Sequence, residues 1–331
     1  MRVRSLPILI LSCIVFLSSC ASPPNGETTA QPEPLSICSF NIRFLGLYKA
    51  IDRDDEGLAG LLHDFDVVVV QELVAPPVEV TYPDGDTDPA DPEAKEFFDA
   101  MEAKGFAYWL SEEDTGTNDD IHEAGSGTEW WVAFYKPEAV EIATDLPSGF
   151  LADDRSNHDD YERVPYAFSF RTLNGLLDFV LISVHLQPGD SSADKARRKH
   201  EIEAIVDWIG TASSSEEDFI ILGDMNIENC SELGSFTPDG FVSLNGSCEA
   251  TNTKPDRPRP YDHVLYRTSG TSEVDTTYGF RVIDLVDELE SSWSLEAPYP
   301  GNPYDHDSFY QYYSDHNPVH FRLLPASADD D

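Results

Sequence analysis

The chain has 331 residues, and 62 acidic residues against 21 lysines and arginines set its net charge at −41. A polyanionic duplex normally meets a positive surface, so this balance excludes tight, non-specific DNA affinity unless basic residues cluster locally or cations screen the repulsion. About 290 residues lie between Leu35 and Pro325 without a linker or an internal repeat, which makes one domain the economical organisation.

In chain order, the N-terminus reads as a processing signal. Arg2 and Arg4 precede an apolar run at residues 6–17 that is too short to span a bilayer, and Leu17, Ser18, Ser19 and Cys20 have the form of a bacterial lipobox. Cleavage there makes Cys20 the lipidated first residue of an exported protein anchored to the cell envelope, at the outer membrane or cell surface. An ordinary secretory peptide cut near Ala21 is the alternative. Residues 1–19 are then a leader, 20–34 a flexible tether, 35–325 the folded domain and 326–331 an acidic tail. The leader holds two arginines and no acids, so its loss moves the charge from −41 to −43. Acid runs at 84–96, 112–120 and 153–162 read as solvated loops.

The predicted strands share one feature. An apolar stretch closes in Asn41; four valines at 67–70 run into Gln71 and Glu72; residues 180–184 run into His185; and 220–222 lead to Gly223, Asp224, Met225 and Asn226. Ser314, Asp315 and His316 precede a last apolar stretch at 319–324. Side chains alternate along a strand, so Asp224 and Asn226 point the same way at its end. Taken singly, such residues are ordinary turn formers. Together they imply one site. Carboxylates, amides and two histidines, with no Cys/His cluster of zinc spacing, suit Mg²⁺ or Mn²⁺.

Helices are predicted over 54–63, 93–104 and 194–209. In the last, Ile202, Ile205, Val206 and Ile209 share a face, and Arg197, Arg198 and Lys199 are expected in solvent. The valine run predicts a strand buried on both faces, hence packed sheets covered by helices: a four-layered α/β sandwich of two packed mixed or antiparallel β-sheets flanked by helices. Of five cysteines, Cys13 falls in the leader, Cys20 at the lipid site and Cys38 in a buried strand as an inert thiol. Cys230 and Cys248 remain, and in an exported protein they are expected to bridge.

Seven motifs stand in a particular order: SFNIR at 39–43, VQE at 70–72, Glu129 with YKP at 135–137, SVH at 183–185, GDMN at 223–226, YDH at 261–263 and SDHNPV at 314–319. The order resembles that of the endonuclease/exonuclease/phosphatase superfamily, and its deoxyribonuclease I branch in particular, over nearly the whole mature domain. The resemblance implies a divalent-metal-dependent phosphodiester hydrolase acting on nucleic acid, with Mg²⁺ or Mn²⁺ as cofactor. It makes Glu72 the principal metal carboxylate, with Asn41 and Asp315 completing the metal and phosphate surroundings. It also pairs His316 with Asp262 and His185 with Glu129 as acid/base histidines, each held in one tautomer. Asp224 and Asn226 orient the attacking water and a non-bridging oxygen, the base being Asp224 or a histidine. Arg43 and Arg163 occupy positions of phosphate-contacting arginines; for Arg163 a surface salt bridge is the alternative. The chemistry agrees, because in-line attack on a phosphodiester needs a cation, amide donors, a proton acceptor and an opposed proton donor.

Two positions depart from the nuclease pattern. Val74 stands where an arginine would enter the minor groove, and Gly127 where a tyrosine would stack. With the charge, these keep open a phosphodiesterase or phosphatase acting on phospholipid headgroups or small phosphate esters. A non-catalytic binding module is a third class, opposed by the intact Glu72, His185, Asp224, Asn226, Asp262 and His316. The other histidines, His63, His122, His158, His200, His263, His306 and His320, are expected on the surface or in loops. The aromatic group Tyr304, Phe309, Tyr310, Tyr312 and Tyr313 reads either as local packing or as a rim over the site.

Overall fold

In the computed structural model, which describes residues 33–47, 53–82, 85, 87–116, 127–153, 158–212, 216–271, 273–295 and 305–325, the valine run sets how the layers stack. Val67 and Val69 pack between two sheets, while Val68 and Val70 pack outward beneath helices. The segment read as a leader, Cys20, His122, Tyr304 and residues 326–331 lie outside the described residues.

The elements run β1 (Leu35–Leu45), α1 (Asp55–Leu62), β2 (Val67–Leu73), β3 (Val80–Thr81), β4 (Thr87–Asp88), α2 (Pro92–Ala103), β5 (Ala107–Asp114), β6 (Trp130–Tyr135), β7 (Val140–Ile142) and β8 (Gly149–Phe150). There follow β9 (Tyr166–Thr172), β10 (Asp178–His185), α3 (Ser192–Ala212), β11 (Phe219–Asp224), α4 (Cys230–Phe236), β12 (Phe241–Ser243) and β13 (Asp262–Arg267). The chain closes with β14 (Arg281–Val282), α5 (Leu285–Glu288), α6 (Glu290–Leu295), α7 (His306–Tyr312) and β15 (Val319–Leu323). One sheet has the order β14-β15-β1-β2-β6-β5, and the other β12-β13-β11-β10-β9-β7 with β8 beside β9. Only β1 with β2 and β10 with β11 are parallel among the paired strands described; the other pairs are antiparallel.

Both sheets contribute to a central layer of side chains, including Ile37, Trp131, Phe168, Phe179 and Leu222. The outer face of the first sheet is covered by Leu58 and Leu62 of α1, Phe97 and Met101 of α2, Leu285 of α5 and Phe309 of α7. Ile202, Ile205 and Ile209 of α3 and Leu233 and Phe236 of α4 cover the second. The predicted four-layered sandwich is the observed one. Local signals place the helices: Asp54 caps α1 through Gly57 N, and Asp91 caps α2 through Glu93 N and Ala94 N with Pro92 opening the helix. Cys38 is buried in β1, and Cys230 and Cys248 form the expected disulfide. Among the described residues, no helix is long and apolar enough to cross a membrane.

Three expectations about charge are corrected. Arg198 is wholly buried: its guanidinium donates to Glu232 Oε1 at 3.0 and 2.5 Å and to the carbonyls of Gln187 and Gly189 at 2.8 Å. Asp91 and Glu93 sit buried at the start of α2, and Asp114 at the end of β5, rather than in solvated loops. His263 is buried in β13, its Nδ1 3.0 Å from Ser243 Oγ. A buried charge needs partners that replace its hydration; those of Arg198 and Glu93 are distant in sequence, whereas Asp91 and Asp114 take backbone N–H groups two or three residues on.

The burial of His263 has a consequence for acid stability. Burial pushes its pKa down from 6.5 to about 4. Above pH 6.5 the ring is neutral in both folded and unfolded chains and contributes nothing. As pH falls from 6.5 towards 4, the unfolded chain takes a proton that the folded one refuses, so stability declines across that window. His263→Asn is expected to recover on the order of 2 kcal/mol of this acid loss. Urea titrations of both proteins from neutral to acid pH measure it, and parallel declines would refute the assignment.

Candidate active site

Topology gathers the polar strand ends at one edge. The parallel strands β1, β2, β10 and β11 finish there, and their antiparallel neighbours β6, β13 and β15 begin there. In the second sheet, His185 pairs in register with Asp224, and Asp224 with Asp262, so three site residues stand in one row across three strands. Gly223 makes this row possible: its φ is +136°, and an added Cβ would lie 2.1 Å from the Val184 carbonyl oxygen.

In the first sheet the register shifts between Asn41 and Leu45 and between Val70 and Leu73. Arg43, Phe44 and Glu72 take φ values of 61°, 49° and 62°, a left-handed backbone costing on the order of 1–3 kcal/mol each. Such irregularities re-aim side chains at sheet ends. Here Glu72 turns to meet the Asn41 amide, whose Nδ2 donates to Glu72 Oε1 at 2.8 Å and across the sandwich to Asp224 Oδ2 at 3.1 Å.

Two histidines converge on Asp224. His185 Nδ1 lies 2.5 Å from Glu129 Oε1 and its Nε2 3.5 Å from Asp224 Oδ2. His316 Nδ1 lies 2.9 Å from Asp262 Oδ2 and its Nε2 3.5 Å from the same Asp224 oxygen. Each carboxylate behind a ring accepts a hydrogen bond from Nδ1–H and leaves Nε2 facing the site. Asp224 Oδ1 accepts from Asn226 N at 2.9 Å. Glu129, His185, Asp224, Asp262 and His316 are all buried.

The remaining expected residues are placed as follows. Asn226 spends its amide Nδ2 on the Leu186 carbonyl at 3.0 Å. Asn41 Oδ1 accepts from Arg43 N at 3.0 Å, so its amide nitrogen, not its oxygen, faces the carboxylates. Asp315 is half-exposed at the mouth, its Oδ1 3.2 Å from Arg43 Nε. Arg163 is buried with Nε 2.8 Å from Glu129 Oε1, a carboxylate of the site. Val74 is buried, and of the aromatic group Phe309 and Tyr313 are core while Tyr310 lies on the rim, stacked 4.1 Å beneath the Arg43 guanidinium.

Electrostatics follow from this crowding. Burial disfavours the Glu129 anion, but His185 and Arg163 outweigh it and hold its pKa well below the carboxylate range. Burial likewise opposes the His185 cation, but Glu129 and Asp224 prevail and raise its pKa, with Arg163 pulling against them. His316 is raised well above its ordinary value, Asp262 and Asp224 overcoming burial. Glu72 is raised, first by burial and then by the Glu129 and Asp315 charges.

Buried carboxylates held against their own repulsion suit a hard divalent cation. Ligand atoms of Glu72, His185 and Asp224 lie within 4.8 Å of one another, as do those of Asp224, Asp262 and His316. The donor set therefore fits the expected group.

Sequence reading missed the supports. Arg53 is buried beneath the mouth, donating to the carbonyls of Ile42 at 2.8 Å, Arg43 at 2.8 Å and Tyr313 at 2.6 Å while Nε reaches Glu93 at 3.0 Å. Ser314 Oγ donates to the Asn41 carbonyl at 2.7 Å, and Gln71 Nε2 to Ser183 Oγ across the sandwich at 3.2 Å. A lone arginine in a turn carries no sequence signal for this; Gln71 and Ser183, inside otherwise apolar runs, do.

Comparison with known proteins agrees with this geometry. The family model described as Endonuclease/Exonuclease/phosphatase family matches residues 38–316. No curated protein matches the sequence. Among solved structures, D. rerio TDP2 complexed with single strand DNA product is 15% identical with a TM-score of 0.51, over 88% of this chain and 99% of that one. The human Nocturnin catalytic domain with bound sulfate anion is 14% identical with a TM-score of 0.53, over 87% and 93%. Bacteroides thetaiotaomicron VPI-5482 mannosyl-6-phosphatase is 16% identical with a TM-score of 0.54, over 88% and 99%. At such identities the likeness shows a shared fold. Because the family match itself runs from β1 to His316, through every strand end that builds the site, this chain belongs to the endonuclease/exonuclease/phosphatase family and is a phosphoester hydrolase by kind.

Proposed function

We propose that the protein is a divalent-metal-dependent phosphodiester hydrolase of deoxyribonuclease I type, held at the cell surface by lipid on Cys20. The observation that carries the chemistry is the convergence of two carboxylate-backed histidines on one oxygen of Asp224. Glu72 and Asp224 would hold the cation, Mg²⁺ or Mn²⁺, which would supply positive charge to the non-bridging oxygens of the phosphate. Asp224 accepts the proton of the attacking water, and His316 donates one to the leaving oxygen. His316 suits that part because Asp262 and Asp224 raise its pKa without an adjacent arginine, whereas Arg163 shares Glu129 with His185. Arg163 acts by fixing Glu129, and Arg43, at the open mouth, meets the phosphate.

DNA in the TDP2 structure supports a nucleic-acid substrate. A small phosphate ester is the second reading, favoured by Val74, whose buried side chain reaches no groove, and by the mannosyl-6-phosphatase likeness. Purified protein incubated with plasmid DNA, RNA, sphingomyelin, mannose 6-phosphate and bis(4-nitrophenyl) phosphate, with Mg²⁺, Mn²⁺ or EDTA, separates them. DNA and the nitrophenyl diester are expected to be hydrolysed only with metal. Cleavage of monoester alone would replace the nuclease reading by the phosphatase one, and inertness to all five would leave a binding module.

A further inference from the structure

A groove of about 290 Å³ opens beside the catalytic centre, and its walls carry an unusual charge for this chain. Arg43, Lys254, Arg257 and His306 line it with the rings of Tyr261 and Tyr310 and one carboxylate, Asp315, which pairs with Arg43. Tyr261 joins it to the centre, its ring 5.6 Å from that of His316. Many cations of this acidic chain are taken by carboxylates, Arg43 of this groove, Arg53, Arg163 and Arg198 among them. Lys254 and Arg257 are exposed and have no carboxylate partner among the described residues, although Asp256 and Asp307 lie near His306.

These two cations are positioned by their backbone. Asn252 pairs with His316 as a β-bridge, and Thr253 N donates to the Asp315 carbonyl at 2.8 Å. Asn252 Nδ2 donates to the Arg257 carbonyl at 2.9 Å, and Arg257 N closes a turn onto the Lys254 carbonyl at 3.3 Å. The loop is thereby tied to the segment that carries Asp315 and His316. Lys254 and Arg257 in one groove with the rings of Tyr261 and Tyr310, beside the proposed phosphoester site, match an anion flanked by a ring.

We infer that this groove binds the phosphate next to the scissile one, so that the substrate is a nucleic-acid strand and not an isolated diester. The inference rests on the phosphodiesterase reading above and narrows its substrate. It also answers the charge objection, since the local basic cluster that a polyanion requires is present where the strand would leave the site.

The test compares thymidylyl-thymidine (TpT) with its two terminally phosphorylated forms. kcat/KM for at least one phosphorylated form is expected to exceed that for TpT by about tenfold, mostly through KM, a factor of about 1.4 kcal/mol. Lys254→Ala combined with Arg257→Ala should collapse this ratio towards one, and Lys254→Arg with Arg257→Lys should retain it. Equilibrium binding of the same three ligands to Glu72→Gln protein provides a readout that needs no turnover. Equal kcat/KM and equal binding for all three, or a preference that survives the double alanine variant, would overturn the inference while hydrolysis of TpT left the phosphodiesterase reading standing. Failure to cleave any of the diester bonds would overturn that reading instead, and the binding ratios would still decide the groove.

Discussion

Glu72→Gln is expected to abolish hydrolysis of every phosphodiester, a loss of roughly 10³-fold or more, the upper scale for removing one preorganised electrostatic contact. The substitution keeps the side chain's length and leaves the left-handed backbone at φ 62° unchanged, so the strand end has no reason to move. What changes is charge and donor pattern. Asn41 Nδ2 and Phe44 N donate to the two Glu72 oxygens at 2.8 and 3.0 Å, and an amide offers one acceptor where the carboxylate offered two. Removing a buried anion whose pKa is raised by burial and by neighbouring carboxylates should leave metal-free stability unchanged or higher. Activity is thus expected to fall while thermal stability in EDTA does not, and Mn²⁺ affinity measured by calorimetry should fall with activity. Full hydrolysis in EDTA, or undiminished Mn²⁺ binding by Glu72→Gln, would remove Glu72 from the metal site.

The site was legible in the sequence because the fold expresses it locally. A polar residue after an apolar run marks a strand end, and Asn41, Glu72, His185 and Asp224 are all of that kind. Antiparallel partners supplied the rest, with Asp262 opening β13 and His316 preceding β15. The layers were legible in four consecutive valines, which only a strand covered on both faces accommodates. Buried charge was not. Arg198 reads as a solvated residue on a polar helix face, and Glu232, 34 positions away, with the carbonyls of Gln187 and Gly189, explains its burial. Arg53 finds the Tyr313 carbonyl 260 positions away. Orientation was equally hidden: the motif around Asn41 does not tell which amide atom meets Glu72, because the backbone N–H of Arg43 decides it. Lys254 and Arg257 carried no motif, and the turn that holds them acquires meaning only where it pairs with Asp315 and His316.

His316→Ala is expected to lower kcat by roughly 10²-fold or more on nucleotide substrates, the scale of a lost general acid. The size of the loss should depend on the leaving group. A nucleoside alkoxide departs poorly without a proton, whereas 4-nitrophenolate needs none, so His316→Ala should retain much more of its activity on bis(4-nitrophenyl) phosphate. His185→Ala is expected to lose roughly 10²-fold as well, but about equally on both substrates, because its ring stands with Glu129 and Arg163 on the other side of Asp224. Asp262→Asn should behave as a weaker His316→Ala, since it withdraws the acceptor 2.9 Å from His316 Nδ1 that fixes the tautomer and raises the ring's pKa. Equal losses for His316→Ala on both leaving groups would assign it to charge stabilisation, and near-wild-type turnover would remove it from the mechanism. The reverse pattern, with His185→Ala sparing the nitrophenyl ester, would exchange the two histidines, and the ring that shares its carboxylate with an arginine would be the acid.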